Sequence, residues 1–129
     1  MQANQALDMD FYICLPANMA QEEIESMVSE LLLNSAQLPP HHVGEALTEL
    51  IERQLYNYQP FTSNTRQGLI GWIAAVWRDE DAALVDLLLT MLVNIPCPAG
   101  EHFLTEKRKG APPKLAQLID QALGELPKH

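Results

Sequence analysis

The chain has 129 residues, 47% of them apolar, which is typical of one folded domain and too apolar for intrinsic disorder. Its formal net charge of −9 argues against nucleic acid as a partner, because phosphate binding requires clustered Lys and Arg. We therefore expect a single domain over 1–129, with 1–7 frayed.

The negative charge lies mainly in the first half of the chain. Residues 1–65 contain nine acidic residues against Arg53 alone, which gives −8, whereas 101–129 contain four acidic and five basic residues, which gives +1. A basic protein partner is therefore expected to meet the first half. The alternative is that the charge only keeps the protein soluble.

Signals for export, membrane insertion and a disulfide framework are missing from the sequence. The N-terminus lacks a basic residue and a signal-length apolar core, and Cys14 and Cys97 stand alone without ligand spacing. The longest nearly apolar run, 82–95, has 14 residues where a membrane span needs about 20. These observations predict a soluble, cytoplasmic protein with reduced thiols, no membrane association and no cofactor.

The first segments of the chain predict two amphipathic helices. Residues 8–15 are the only β-like patch, and because no second strand exists to pair with them, an extended lead-in or a short helix is expected. A helix over 19–34 follows, with Asn18 as N-cap and Gln21 in the capping-box position. A second helix runs from Pro40 or His41 to Tyr56, before a loop over 57–65.

The most apolar part of the chain predicts a central helical hairpin over about 65–95. Helices are expected over 65–78 and 80–94, with Asp79 as the N-cap of the second, although one long kinked helix is an alternative. Gly68 and Gly71 are expected to let a neighbouring backbone approach closely.

Residues 96–112, rich in Pro and Gly, predict a loop or short helical turn before a last helix over about 113–126. The fold class is therefore all-α: a compact bundle of about five helices around the central apolar hairpin.

Catalytic and metal-binding patterns are weak in this sequence. His41 and His42 are adjacent, so their side chains point about 100° apart on a helix and do not readily chelate one ion. The run 79–81 lacks the ligand alternation and central Gly of a calcium loop, and no GxSxG, GxGxxG or HExxH motif occurs. We expect neither a metal site nor an enzyme.

The sequence favours a protein-binding surface instead. Small, acidic, helical proteins without catalytic motifs include bacterial immunity proteins, antitoxins, secretion chaperones and adaptors. The leading hypothesis is an immunity- or antitoxin-type inhibitor that covers a basic partner surface. The residues expected to contact the partner are acids of the first two helices and nearby loop aromatics: Glu22, Glu25, Glu45, Glu49, Glu52, Tyr56, Tyr58 and Phe61.

Two other classes of function remain as alternatives. One is a structural homodimer, in which surplus apolar surface of the two central helices packs against a second copy, or a secretion-chaperone or adaptor protein. The other, less favoured, is a cryptic enzyme or a small-ligand site near Trp72 or Trp77.

Overall fold

Residues 8–126 are described by the computed structural model, and within that range every regular element is helical. The predicted all-α class is confirmed. The predicted frayed segment 1–7 lies outside the described residues. In chain order the helices are α1 (Met9–Ile13), α2 (Gln21–Leu33), α3 (Pro40–Leu55), α4 (Ser63–Val76), α5 (Ala82–Asn94), α6 (Pro98–Arg108) and α7 (Pro113–Glu125), with a 3-10 turn at Ser35–Gln37 between α2 and α3.

Two compact units divide the chain, Met1–Leu69 and Ile70–His129, so that the boundary falls inside α4. The single-domain organisation over 1–129 stays a prediction. In the part of the chain that the structure describes, none of the helices is long and apolar enough to cross a membrane.

The first unit is built on α3, against which both α1 and α2 pack. Pro40 opens α3 at a position where its missing N–H costs no hydrogen bond, and apolar residues at helical spacing then define one buried face. The core of this unit consists of Met19, Ile24, Val28, Leu31, Val43, Ala46, Leu47, Leu50, Ile51, Phe61 and Leu69.

In the second unit α7 packs against both α5 and α6. Its apolar stripe and that of α5 supply most of the fully buried side chains, and Trp72 and Trp77 are also buried. Helix α4 ends at Val76 and α5 begins at Ala82, so the central apolar stretch forms two helices rather than one kinked helix. Their packing as a hairpin stays a prediction.

Two of the predicted N-caps are wrong. Helix α2 begins at Gln21 rather than Met19, because Met19 is buried before the helix starts and its carbonyl accepts a hydrogen bond from Asn57 Nδ2 at 3.0 Å. Helix α5 is capped by Asp81, whose Oδ1 accepts from Leu84 N at 3.1 Å, whereas Asp79 accepts from the Trp77 indole at 2.6 Å.

The loop predicted over 96–112 is also wrong for most of its length, because α6 occupies it. Pro98 stands at the first turn of this helix, where proline is tolerated, and Leu104 and Gly100 are buried. The β-like patch at 8–15 contains the short helix α1.

The expected close backbone approach at the two glycines of α4 is not found. Gly71 is exposed with open space around it, and a Cβ at Gly68 would lie 3.2 Å from a side-chain atom, Leu32 Cδ1.

Candidate protein-binding surface

One exposed face of α3 carries three carboxylates in a row. Glu45, Glu49 and Glu52 are spaced at i, i+4 and i+7, so they lie on one side of the helix, opposite its buried face, and we call them the acidic stripe. Tyr56 continues the same line at i+11, just beyond the last helical residue. At about 1.5 Å per residue, the line from Glu45 to Tyr56 is roughly 16 Å long.

Arg53 borders the acidic stripe and joins it to α1. Its Nη1 donates to Glu49 Oε1 at 2.5 Å and to the Glu49 carbonyl at 3.1 Å. Its Nη2 donates to the carbonyls of Ile13 at 3.0 Å and Leu15 at 2.9 Å. Because a cation is favourable at the C-terminal end of a helix, where carbonyls lack helical partners, this one guanidinium fixes the end of α1 beside the last turns of α3.

Helix α1 places apolar and acidic side chains together on this side of the unit. None of its residues is buried, and Phe11 and Ile13 are 50% and 54% exposed. The Phe11 ring meets the Tyr12 ring edge-on, with centroids 5.2 Å apart. Burial, and secondarily the charge of Glu30, raises the pKa of Tyr12. Asp10 is exposed in the first turn, so α1 adds a carboxylate and two half-exposed apolar side chains.

The turn after α3 holds a tyrosine in an unusual conformation. Tyr58 has φ 55°, in the left-handed region that Gly and Asn adopt more readily, and its side chain is 91% exposed. Its N–H donates to the Leu55 carbonyl at 3.1 Å. The buried Gln54 amide closes the turn by donating to the Gln59 carbonyl at 2.8 Å. The turn is therefore well ordered by hydrogen bonds, yet it presents a large ring to solvent.

The predicted contact residues on α2 and at Phe61 are placed differently. Glu22 is exposed, but Glu25 bonds to the chain just before α4: Oε2 accepts from Thr62 N at 2.7 Å and Oε1 from Thr62 Oγ1 at 3.2 Å. Phe61 is only 4% exposed and belongs to the core, so its expected role as a surface anchor is wrong.

The eight predicted residues thus separate into two groups. Glu45, Glu49, Glu52 and Tyr56 form one line, with Tyr58 just beyond its end, whereas the other three lie on α2 or in the core.

Sequence reasoning did not find the contribution of α1. The only signal in the sequence was that Arg53 is the single basic residue among nine acidic residues in 1–65. Its partners, however, lie 38 and 40 residues away, and no local pattern specifies them.

A second apolar feature of the first unit is a groove between α2 and the start of α4. It has a volume of about 310 Å³ and is lined by Val28, Ser29, Leu32, Leu33, Asn64, Thr65 and Gly68. Leu33 is 82% exposed at its edge. The lining holds no charged side chain.

The basic run of the second unit is largely occupied by local contacts. Arg108 bonds to Asp120 at 2.8 Å and Lys109 to Glu106 at 3.1 Å, and the latter bond holds the pKa of Glu106 below its ordinary value. Lys107 Nζ lies 5.7 Å from the centre of the Phe103 ring. Within residues 8–126, no three His, Cys, Asp or Glu side chains group closely enough to hold a metal ion.

Comparison of the chain with protein-family models, curated proteins and solved structures gives no match. The assignment of a function therefore depends on the chemistry of the surface alone.

Proposed function

We propose that this protein is a non-enzymatic, acidic protein-binding module that covers a basic surface of its partner, in the manner of an immunity protein or antitoxin. The supporting observation is that exposed apolar side chains and acidic charge coincide in the first unit. Among the described residues, all large apolar side chains classed as exposed lie in that unit: Phe11, Ile13, Leu33, Leu55, Tyr56 and Tyr58.

The charge of this unit supports a basic partner. Met1–Leu69 contains nine acidic residues against Arg53 and Arg66, and Arg53 is already bonded to Glu49. Glu45 and Glu52 are exposed, and their carboxylates make no hydrogen bond or ion pair with residues 8–126. Such unpaired carboxylates attract a basic surface over the Debye length and accelerate its association.

The homodimer hypothesis receives less support. It required surplus apolar surface on α4 and α5, but the residues of these helices that are exposed are small or polar, with Ala74, Ala75, Ala82 and Ala83 as the apolar ones. Apolar contact area of that size adds little to association.

We also infer a cytoplasmic setting, supported by the two free thiols. Cys14 is exposed and Cys97 partly exposed, and neither forms a disulfide. Exposed thiols persist in reducing compartments.

The test is to isolate the bound protein from native cells and to measure its affinity against salt concentration. We expect Glu45→Gln/Glu52→Gln to weaken binding about tenfold at low salt and to flatten the salt dependence. The matched control Glu80→Gln/Glu125→Gln removes the same charge from exposed positions of the second unit and should change affinity less than twofold. A salt-independent affinity, or an equal effect of both double variants, would contradict the proposal.

A further inference from the structure

We infer that the α1–α3 surface, formed by the acidic stripe, Phe11, Ile13, Tyr56 and Tyr58, binds a cationic amphipathic helix of the partner, with Tyr58 as an anchor. This inference rests on the proposed function and specifies where and how the partner is recognised.

The conformation of Tyr58 is the first argument. A bulky side chain at φ 55° costs free energy that Gly or Asn would avoid at the same position. At 91% exposure, burial of the ring within this chain does not offset that cost. Tyrosine is enriched among the residues that dominate binding free energy at interfaces, so contact with a partner gives the ring a role that the fold does not.

The geometry of the stripe is the second argument. Glu45, Glu49 and Glu52 lie along one face of α3, and Arg53 bonds both to Glu49 and to the Ile13 carbonyl, so the end of α1, with its half-exposed apolar side chains, lies beside the stripe. A partner helix has the same rise per residue, so Lys or Arg at i, i+4 and i+7 of that helix match the carboxylates in axial spacing. The apolar residues on the adjacent face of the partner helix then contact Phe11 and Ile13, and Tyr56 extends the line of the carboxylates.

The negative charge of the stripe favours a cationic helix over the other ligands that could bind this surface. An anionic membrane or a nucleic acid would bring negative charge to the stripe, and a second copy of the chain has a net charge of −9, with Arg108 and Lys109 of its basic run bonded to Asp120 and Glu106. Like charges at an interface oppose association. The α2–α4 groove lacks charged lining residues, so nothing there selects a cationic partner.

The probe is a labelled synthetic helix of about 14 residues, roughly 21 Å long, with leucines on one face and lysines on the other. A peptide of the same composition in scrambled order is the reference. We expect the amphipathic peptide to bind more tightly than the scrambled one, and to shift backbone amide resonances of α1 and the second half of α3. Equal binding of the two peptides, or shifts centred on Ser29 and Gly68 in the groove, would overturn the inference.

The deciding variant is Tyr58→Asn, because Asn tolerates the left-handed conformation. We expect its Tm to rise by about 2–4 °C while its affinity for the amphipathic peptide falls roughly tenfold. The matched control Leu33→Asn removes an 82% exposed side chain of the same unit, outside this surface, and should change affinity less than twofold. A fall in Tm for Tyr58→Asn would show that the ring supports the fold. Equal losses of affinity in Tyr58→Asn and Leu33→Asn would show that Tyr58 is not an anchor. Either result would overturn the inference.

The two proposals fail separately. If the native partner shows salt-dependent, Glu45- and Glu52-dependent binding but Tyr58→Asn binds it normally, the acidic module stands and the anchoring inference is wrong. If the affinity for the native partner does not change with salt concentration, the proposed function itself is wrong.

Self-association of the chain is a further check. Self-association of the chain at increasing protein concentration, abolished by Tyr58→Asn, would assign the surface to a second copy instead and overturn the inference.

Discussion

At the scale of single residues, Arg53 links α3 to the end of α1 by hydrogen bonds, in addition to the packing of the two helices. It bonds to Glu49 within α3 and to two carbonyls at the end of α1, and its side chain is largely buried. Because α1 is five residues long and buries none of them, it is too short to be stable alone. Packing against α3 and the hydrogen bonds of this guanidinium therefore hold α1 on the first unit.

We expect Arg53→Gln to lower the free energy of unfolding by about 1–2 kcal/mol, since charge-assisted hydrogen bonds from a largely buried guanidinium to the Ile13 and Leu15 carbonyls are lost. Backbone amides of α1 should exchange with solvent faster in this variant. Arg66→Gln is the matched control: it removes the same charge from the same unit, at a partly exposed residue. The prediction is checked by denaturant unfolding and hydrogen exchange, and equal destabilisation by the two variants would contradict it.

At the scale of elements, α4 contains a glycine at a position where no neighbouring atom requires the absence of a side chain. Gly71 is exposed near the middle of the helix, and a Cβ there would meet no atom within 4 Å. Glycine in a helix interior costs roughly 0.5–1 kcal/mol relative to alanine, because the unfolded chain loses more conformational freedom.

Gly71→Ala should therefore raise the free energy of unfolding by about 0.5–1 kcal/mol in a denaturant titration. Gly110→Ala is the opposite case. Its surroundings are equally open, but its φ of +73° is a conformation that alanine rarely adopts, so a loss of about 1 kcal/mol is expected. If Gly71→Ala were destabilising, α4 would need the close approach that the sequence pattern first suggested.

Helix periodicity predicted the long elements well, because a buried stripe repeats locally in the sequence. The face of α3 follows directly from that spacing, and so does the common line of Glu45, Glu49 and Glu52. What could not be predicted depends on distant contacts. Local composition marks 96–112 as a chain break, yet burial of Leu104 supports a helix there, and the solvent exposure of Phe61 is decided by the core around it.

The two N-cap predictions were wrong for a related reason. Asn18 and Asp79 have suitable side chains, but a neighbouring residue decides each case: Asn57 binds the Met19 carbonyl, and the Trp77 indole binds Asp79. Sequence reasoning ranks residues able to cap a helix, whereas tertiary contacts determine which of them do.

At the scale of the whole molecule, the acidic charge of the first unit has opposite effects on stability and on binding. Nine acidic residues share the first unit with two arginines, whereas Ile70–His129 has eight acidic against six basic residues. Mutual repulsion of unpaired carboxylates opposes the folded state, and the same carboxylates attract a basic partner. A change that relieves the first effect should therefore weaken the second.

This conflict predicts how stability responds to salt. We expect the free energy of unfolding to rise between about 10 and 300 mM NaCl, because the Debye length falls from roughly 30 Å to below 8 Å over that range. Glu45→Gln/Glu52→Gln should add a few tenths of a kcal/mol at low salt and reduce the salt dependence, since these two side chains lie on the stripe roughly 10 Å apart along the helix. Glu80→Gln/Glu125→Gln, in the more balanced unit, should do less. Denaturant titrations at each salt concentration measure both effects, and a stability that falls as salt is added would mean that attractive pairs, not repulsion, dominate the charges of the first unit.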